Sequence, residues 1–479
     1  MTEGQSLDTF VQALGSDTVL SQSSPSFANY IGAVAPAWNT FVAPGAIVLA
    51  RTANDVSRTL AAASAQKLPV WVTYTREGYR FAHANPTPGH VLLDLSQMNN
   101  VVEVNEDLAY AIIEPGVTYE SLSTHLKGSN SSLLVDSPSF GTRSVIGSTL
   151  ERGHGYTPYG DHVLMQCGME VVLPDGEILR TGMGAMPKSS CSALFKYGFG
   201  PWVDNLFMQS NLGIVTQMGI WLMPAPPQTR IFSFTTDHSE DLAALIDISG
   251  ALRVTQAVPG TIVVAARDYD EMIDKQFGAD QASPRGAWTV YGALYGLPDN
   301  IAMAVDFVKS QFSTVSGGTF SEIPDAGAAP AAALRAQLMR GQIARLDDRG
   351  NDQYETLRLS PAAANDGASA REMFEATKAI AARHQVECLA EFACGWRALT
   401  QDTLLRIPRT AAEAQKTLRQ CADEIVVALA ALGYGETSSY GAREDLLAQT
   451  YDAGGSGIAP VTKNLRTALD PASILEPLS

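Results

Sequence analysis

A strand, a helix and a second strand follow one another early in this chain, and this order restricts the available folds more than any other feature. "AIVLA" (46–50) predicts a strand, "ANDVSRTLAAASAQ" (53–66) predicts a helix with one apolar face, and "LPVWVTY" (68–74) predicts the second strand. Two strands of one sheet that are joined by a crossover helix run parallel, with a right-handed connection. The sequence therefore predicts a partly parallel sheet in its first part.

The pattern of predicted elements changes once along the chain. Short strands are predicted at 90–95, 109–116, 165–181 and 212–224, and Asp175-Gly176 is typical of a hairpin turn within the third of these. From about residue 231, long helices predicted at 239–250, 298–314, 368–385 and 409–432 alternate with strands predicted at 261–267, 287–295 and 386–394. Three prolines in "PAPPQTR" (224–230) mark the boundary. A chain of 479 residues also exceeds what one core usually supports, so we expect an α+β protein with two domains.

Charge and cysteine usage exclude several classes of function. The formal charge is −17, and no cluster of basic residues offers the concentrated positive charge that nucleic acid or an anionic membrane requires. The sequence shows no secretory signal and no apolar run long enough to span a bilayer. The odd number of cysteines lacks zinc-ligand spacing, which predicts free thiols in the cytoplasm and no metal site.

Four long blocks of sequence resemble one known family. They are "NNVVEVNEDLAYAIIEPGVTYESL" (99–122), "RGHGYTPYGDH" with the hairpin after it (152–181), "MPKSSCSALFKYGFGPWVDNLFMQSNLGIVTQMGIWLMPAP" (186–226) and "LDPASILEP" (469–477). Together they are similar to the vanillyl alcohol oxidase and p-cresol methylhydroxylase family of flavoproteins. The resemblance implies an FAD-binding domain of mixed sheets and helices over 1–230, completed by 436–479. It also implies an α+β cap domain over 231–435 with an antiparallel sheet flanked by helices, a small-molecule substrate, and a possible homodimer.

The resemblance also implies residues that contact FAD. Backbone N–H groups in glycine-rich turns can bind phosphates, and a glycine lets the chain approach a flat ligand that a Cβ would keep away. On this basis the predicted cofactor-binding residues in these turns are Pro115, Gly116, Gly141, Ser144, Gly147, Gly155, Tyr156, Gly213, Ile214 and Val215. The alternative is that the glycines only form tight turns.

The loop after the second predicted strand departs from the family. Relatives carry serine, arginine and glycine followed by a glycine-rich run, whereas this chain reads "YTREGYRFAHANP" (74–86). Arg76 and Gly78 could still hold the pyrophosphate, since guanidinium pairs well with phosphate. Alternatively, bulky side chains such as Tyr79 and Phe81 fill that space, so the sequence leaves open whether FAD binds.

Other departures concern the flavin linkage and the substrate. Thr356 aligns with the histidine that attaches FAD covalently in relatives, which predicts noncovalent flavin. Thr437 and Ser438 replace the tyrosine and arginine that clamp a phenolate, and Phe81 replaces a third clamp residue, so we expect a non-phenolic substrate. The stretch "CGWRALTQD" (394–402) has Thr400 and Gln401 where relatives carry histidines near the flavin, and we assign Arg397 and Gln401 of this stretch to the substrate pocket.

Two residues are candidates for acid–base catalysis. By resemblance, Glu151 occupies the place of a carboxylate beside the flavin, and burial would raise its pKa toward neutrality. His154 stands three residues later and could pair with Glu151, although the two could equally form a structural salt bridge. Two functions follow: an FAD-dependent oxidoreductase, or a redox-neutral cyclase or isomerase that reuses the flavin cavity to hold a reactive conformer.

Overall fold

The computed structural model describes residues 3–15, 18–34, 42–75, 87–277, 286–324, 327–345, 353–438, 444–452, 455, 457 and 459–475. The described chain forms two smaller sheets and one two-stranded sheet before residue 225, and a nine-stranded sheet after it. We call residues 3–224 the N-terminal part and the nine-stranded sheet the large sheet.

A four-stranded sheet begins the N-terminal part, as the strand, helix and strand order predicts. Its strands are β1 (Val19–Ser21), β2 (Ala46–Leu49), β3 (Val70–Thr73) and β4 (Val91–Asp94), and its helices are α1 (Glu3–Leu14), α2 (Pro25–Val34) and α3 (Ala53–Gln66). β4 lies between β2 and β3 and is parallel to both, while β1 is antiparallel to β2. Thr52 and Asp55 cap the start of α3 reciprocally. The predicted parallel strands are confirmed, with β4 inserted between them.

An antiparallel five-stranded sheet completes the N-terminal part. It contains β5 (Val101–Asn105), β6 (Tyr110–Ile113), β8 (Gln166–Val172), β9 (Ile178–Arg180) and β10 (Ile214–Trp221), and a separate pair joins β7 (Leu133–Leu134) to β11 (Met223–Pro224). The helices here are α4 (Tyr119–Gly128), α5 (Val145–Leu150) and α6 (His162–Met165). Gly176 has φ +92° in the turn between β8 and β9, which confirms the predicted hairpin.

The large sheet is antiparallel throughout its described pairs. Its strands are β12 (Gln228–Thr236), β13 (Ile262–Ala266), β14 (Trp288–Gly296), β15 (Thr319–Glu322), β16 (Tyr354–Leu359), β17 (Pro361–Ala364), β18 (Glu387–Cys394), β19 (Ala398–Pro408) and β20 (Gly435–Glu436). The helices of this region are α7 (Leu242–Val254), α8 (Arg267–Gln276), α9 (Pro298–Phe312), α10 (Pro330–Met339), α11 (Gly367–Arg383) and α12 (Ala414–Ala431).

The two faces of the large sheet have different partners. One face packs against α7, α9, α11 and α12 in a large apolar core. The other face packs against α8 and α10 and against Tyr156, which the N-terminal part contributes. Because side chains alternate along a strand, neighbouring residues of β19 point to opposite faces of the sheet. The contact with Tyr156 places the loop that contains this residue against the second face.

The C-terminal segment returns to the first sheet. After α13 (Glu444–Tyr451) and α14 (Ala459–Leu469), Leu475 pairs with Val70, and Ile474 and Leu475 join the core of the four-stranded sheet. The division into 1–230 with 436–479 and 231–435 stays a prediction. All five cysteines are unpaired. No helix among the described residues combines the length and apolarity needed to cross a membrane.

Candidate functional site

The loop from Arg152 to Asp161, between α5 and α6, lies where the N-terminal part meets the large sheet. The Thr261 hydroxyl, at the start of β13, donates to the carbonyl oxygen of Gly155 at 3.0 Å. The backbone N–H of Thr261 donates to the carbonyl oxygen of Tyr156 at 3.2 Å. These bonds fix the middle of the loop to the large sheet.

Asp136 holds the same loop from the other side. This buried carboxylate accepts the N–H groups of Tyr156 at 3.2 Å and Thr157 at 2.8 Å through one oxygen, and Nε2 of His162 lies 2.7 Å from the other. Nδ1 of His162 lies 3.0 Å from the hydroxyl of Tyr119 on α4. Sequence reasoning missed Asp136, whose only signal was an acidic residue after the apolar run of β7.

The carboxylate of Asp136 leaves no room for a side chain at position 155. A Cβ on Gly155 would lie 1.5 Å from Oδ1 of Asp136, so any side chain would displace the carboxylate. The other predicted cofactor glycines also face protein atoms: a Cβ would meet the Ser96 carbonyl oxygen at 2.6 Å from Gly116, Ile343 at 2.3 Å from Gly141, the Tyr74 ring at 3.2 Å from Gly147 and Val171 at 2.7 Å from Gly213. Each of these glycines therefore admits a neighbouring protein segment, and their contact with FAD stays a prediction.

The segments expected to bind the cofactor nevertheless converge. The Ser144 hydroxyl donates to the Pro115 carbonyl at 2.5 Å and accepts the N–H of Gly147 at 2.9 Å, which caps α5. Tyr74, which follows β3, lies against Gly147, and the residues after β4 lie against Gly116. The carboxyl ends of two parallel strands thus meet the N-terminus of α5 and the 114–117 turn.

Two further predicted cofactor residues begin β10, and their contact with FAD stays a prediction. The side chains of Ile214 and Val215 are buried in the cores of the two N-terminal sheets. Arg76, Gly78 and Phe81 lie outside the described residues.

His154 stands in a dense group of charges. Burial lowers the pKa of His154 below its usual value; Asp402 and Asp136 act to raise it, and His162 and Arg358 act to lower it. The imidazole is therefore neutral near pH 7. A neutral histidine in this position can accept a proton.

The large sheet contributes an ion pair to this group. Arg358 on β16 donates to Asp402 on β19, and also to the Tyr269 hydroxyl at 3.3 Å. Oδ1 of Asp402 is buried and has no hydrogen-bond partner among the described residues. Glu391 lies directly opposite Asp402 in the register of β18 and β19. Two carboxylates therefore face one another on a buried sheet face.

Buried Arg335 compensates one of these carboxylates. Its Nη2 donates to Glu391 at 2.6 Å and to Asp270 at 2.9 Å, and Asp270 accepts the Tyr291 hydroxyl at 2.6 Å. Burial raises the pKa of Glu391; Arg335 opposes this, and the charge of Asp402 adds to it.

Glu436 is a buried carboxyl group that sequence reasoning did not single out. Its oxygens accept the N–H of Ser360 at 3.0 and 2.9 Å and the N–H of Ser438 at 2.9 Å. Burial raises the pKa of Glu436 to about 7, against these hydrogen bonds, and the charge of Asp402 also raises it. The group can therefore gain or lose a proton near neutral pH.

The predicted substrate residues 437 and 438 adjoin Glu436. The Thr437 hydroxyl donates to the Ser360 carbonyl at 2.7 Å, and the Thr437 carbonyl accepts Nε2 of Gln209 at 2.7 Å. The N–H of Gln209 in turn donates to the carbonyl of Leu150 at 2.9 Å. This link brings the 436–438 segment to the end of α5.

Glu151 ends α5, where its N–H donates to the Gly147 carbonyl at 3.1 Å. Burial raises the pKa of the Tyr74 hydroxyl, and the charge of Glu151 raises it further. Glu151 therefore lies beside the converging cofactor segments, and His154 lies beside the Arg358–Asp402 pair.

The structure treats the remaining substrate predictions differently. Thr356 shares a strand face with Arg358, two residues along β16. Gln401 does not reach this face: it is fully buried on the opposite side of β19, where its amide donates to Thr377 at 3.2 Å and Thr403 at 2.9 Å. Arg397 is also separate, because it is exposed in the β18–β19 turn and lies over the Trp396 ring. Strand alternation puts Gln401 and Asp402 on opposite faces, and Arg397 lies at the end of the hairpin; the assignment of Gln401 and Arg397 to the substrate pocket stays a prediction.

Comparisons with known proteins agree with this geometry. Residues 44–182 match the family described as FAD binding domain. The 4-cresol dehydrogenase [hydroxylating] flavoprotein subunit of Pseudomonas putida is 30% identical over 512 aligned residues, which cover 100% of this chain and 96% of that protein. The 1'-carboxy-chondrochloren decarboxylase of Chondromyces crocatus is 36% identical over 226 residues, 47% of this chain and 42% of that protein. The crystal structure of p-cresol methylhydroxylase with substrate bound superposes with a TM-score of 0.88 at 29% identity, covering 98% of this chain and 95% of that one. The predicted α+β two-domain flavoprotein fold is confirmed.

Proposed function

Because the chain belongs to the vanillyl alcohol oxidase and p-cresol methylhydroxylase family of FAD-linked oxidases, we propose that it oxidises a non-phenolic small molecule with noncovalently held FAD. The observation that carries the proposal is the hydrogen bond from the Thr437 hydroxyl to the Ser360 carbonyl at 2.7 Å. The Thr437 hydroxyl, at a position where relatives carry a phenolate clamp residue, donates its proton to the protein backbone. It has no proton left to donate to a phenolate oxygen.

The described residues fit FAD. Ligands of open α/β sheets bind at the carboxyl ends of parallel strands, and here the ends of β3 and β4 meet the N-terminus of α5. By resemblance, Ser144, Gly147 and the 114–117 turn would line the cofactor; the N–H groups of Val145 and Gly147 already bond to the Val117 carbonyl and the Ser144 hydroxyl. FAD, when bound, accepts two electrons and a proton from the substrate.

Noncovalent attachment is supported by residue 356. Thr356 has a hydroxyl, which is a poor nucleophile at neutral pH unless a neighbouring base activates it. The position lies on the sheet face that carries Arg358, so a nucleophilic side chain there would be well placed. Threonine leaves that place without one.

Proton transfer would fall to groups at the junction, the place where the N-terminal part meets the large sheet. His154, neutral near pH 7, can accept a proton from a substrate hydroxyl or amine, and Glu436 can hold or release one. Asp402 offers a buried oxygen that can accept a hydrogen bond from the substrate. By resemblance, Glu151 is the carboxylate nearest the flavin.

The test is spectroscopic. The purified protein, with and without added FAD, should show the visible bands of oxidised flavin, and acid precipitation should release all colour into the supernatant. Flavin bleaching without oxygen is then followed with 4-methylphenol and its methyl ether, and with benzylic and allylic alcohols. We expect an alcohol to bleach the flavin and 4-methylphenol to do no better than its methyl ether. Colour that stays with the precipitate, or bleaching by the phenol alone, would overturn the proposal.

A redox-neutral cyclisation, isomerisation or related reaction is the second candidate. It is supported by the relative named as a decarboxylase and by the acid–base groups His154 and Glu436. Product formation without bleaching of the flavin, or by colourless protein, would favour this reaction. For either reaction we propose a cytoplasmic enzyme of specialised metabolism, with a homodimer as its assembly.

A further inference from the structure

We propose that Asp136 is the positioning residue for His154, acting through the loop from Gly153 to His162. The inference rests on the proposed function only in that His154 takes part in the reaction. Its structural content, the hold of Asp136 on His154, can be tested without turnover.

The contacts of Asp136 span the whole loop. One oxygen accepts two consecutive N–H groups, those of Tyr156 and Thr157, just after His154. The other oxygen accepts from His162, which begins α6 at the far end of the loop. Between them Gly155 lies so close that only a hydrogen fits against Oδ1. One carboxylate therefore fixes the path of the chain that follows His154, from Gly155 to His162.

These contacts also determine the tautomer of His162. A carboxylate only accepts, so Nε2 of His162 carries the proton that it donates across 2.7 Å. Nδ1 then accepts from the hydroxyl of Tyr119, which is buried in the core at 1% exposure. The hydrogen bonds run in one direction, from Tyr119 to His162 to Asp136. The negative charge therefore stays on Asp136, and this charge acts to raise the pKa of His154.

The charges around His154 show what this arrangement does. The charges of Asp136 and His162 in the N-terminal part, and those of Asp402 and Arg358 in the large sheet, act on the pKa of the His154 imidazole. Asp136 and Asp402 favour the protonated imidazole, while Arg358 and His162 disfavour it. Asp402 is paired with Arg358 and Asp136 with His162, and Asp402 acts on the pKa of His154 more strongly than Asp136 does. Asp136 is nevertheless the carboxylate that both favours proton uptake by His154 and holds the loop that follows it.

The first variant is Asp136→Asn, read by ¹⁵N NMR of the histidine rings in the FAD-free chain and in the FAD-loaded chain. His154→Gln and His162→Gln identify the signals of these two among the seven histidines. If the asparagine oxygen keeps the two backbone N–H groups, its NH₂ faces Nε2 of His162, which must lose its proton. We expect His162 to change from the Nε2–H to the Nδ1–H form, and His154 to titrate roughly 0.5 to 1 pH unit lower. The limb of kcat/KM against pH that reports His154 should move by the same amount.

Asp470→Asn is the matched control. Asp470 is equally buried and its carboxylate accepts two backbone N–H groups, those of Ile474 and Leu475, in the C-terminal segment. This variant should lose stability and leave both the His154 titration and the pH profile unchanged. Equal shifts in both variants would reduce Asp136 to a structural residue and overturn the proposal.

Two further outcomes decide the matter. The wild-type spectrum alone tests the hydrogen-bond direction, even if Asp136→Asn fails to fold, because an Nδ1–H form of His162 in the wild type contradicts the proposal. A shifted His154 titration with an unmoved pH profile would keep Asp136 as the positioning residue. That result would instead remove His154 from the proposed reaction.

Discussion

At the scale of single residues, the junction is characterised by carboxyl groups that are buried for different reasons. Asp136 is fully used by donors, Asp402 is paired with Arg358, and Glu436 accepts only backbone N–H groups from the part of the chain that the structure describes. Burial without a cationic partner favours the protonated form of an acid. Glu436 is therefore the acid whose protonation should respond to pH near neutrality.

Glu436→Gln should change the pH dependence of stability. The pKa of Glu436 is about 7 in the folded chain and near 4.5 when unfolded, so folding favours its protonated form. Its contribution is fully present below about pH 4.5 and is lost as pH rises through about 7. We expect the wild type to lose roughly 2 to 3 kcal/mol from this group between pH 4.5 and 8, and the glutamine variant to lack that loss. Urea unfolding across this range measures it.

Glu372→Gln is the control for that experiment, because Glu372 is exposed and only accepts the Tyr434 hydroxyl. Its pH dependence should follow the wild type. Parallel wild-type and Glu436→Gln curves would show that Glu436 is ionised throughout this range.

Gly155→Ala should destabilise the loop severely. The added methyl group must displace the Asp136 carboxylate, which breaks its hydrogen bonds to the loop and to His162. Overpacking with loss of buried hydrogen bonds costs on the order of 3 kcal/mol or more. Gly128→Ala in the last turn of α4, where nothing lies within 4 Å of the new Cβ, should instead be neutral or slightly stabilising. Thermal unfolding of the two variants compares them, and equal midpoints would contradict the close contact.

At the scale of elements, strand alternation decides which residues reach the site. Asp402 faces the junction, while its neighbour Gln401 faces α11. Both residues stand in one short polar stretch, and either could have been the inward one. The strand register chooses between them.

Asp402→Asn and Gln401→Leu should therefore separate activity from stability. The asparagine leaves the half-buried charge of Arg358 without its carboxylate partner and removes a negative charge near His154, so we expect kcat to fall tenfold or more. The leucine faces the apolar core and should leave kcat within about twofold while changing stability by roughly 1 kcal/mol. Steady-state kinetics and unfolding curves measure both. A larger loss of kcat in Gln401→Leu would contradict the assigned faces.

Element positions were largely predictable from the sequence, and side-chain partners were not. Periodicity located α3, the β8–β9 hairpin and α11 within a few residues, because local patterns report local structure. Asp136 was invisible, since its partners lie 20 to 26 residues away and only the fold brings them together. The glycines were recognised as special, but their neighbours proved to be protein atoms. A glycine in the sequence therefore indicates that another group lies close to the backbone, but it does not identify that group.

At the scale of the whole molecule, the N-terminal part and the large sheet are connected through short loops. Residues 155 and 156 bond to Thr261, Phe140 and Gly141 pair with 344–345, and Gln209 bonds to Thr437. A ligand in this junction contacts groups from both parts. Its binding energy therefore stabilises the connected whole.

FAD should raise the thermal stability of the chain in proportion to the logarithm of its concentration. A ligand present at a hundred times its Kd stabilises the folded state by about 2.7 kcal/mol. Tryptophan fluorescence on heating, with FAD varied over several decades, should show a rising midpoint, and riboflavin should give a smaller rise because it lacks the phosphates. A midpoint of thermal unfolding that does not depend on the FAD concentration would contradict FAD binding at the ends of β3 and β4.

Gly155 and Asp136 also restrict the order in which this chain can change over time. While Asp136 remains, a side chain at 155 must displace its carboxylate, so a mutation there carries the cost of the lost hydrogen bonds whatever its effect on chemistry. A smaller residue at 136 removes that cost. We therefore expect descendants to gain a side chain at 155 after, and not before, they lose the Asp136 hold on the loop.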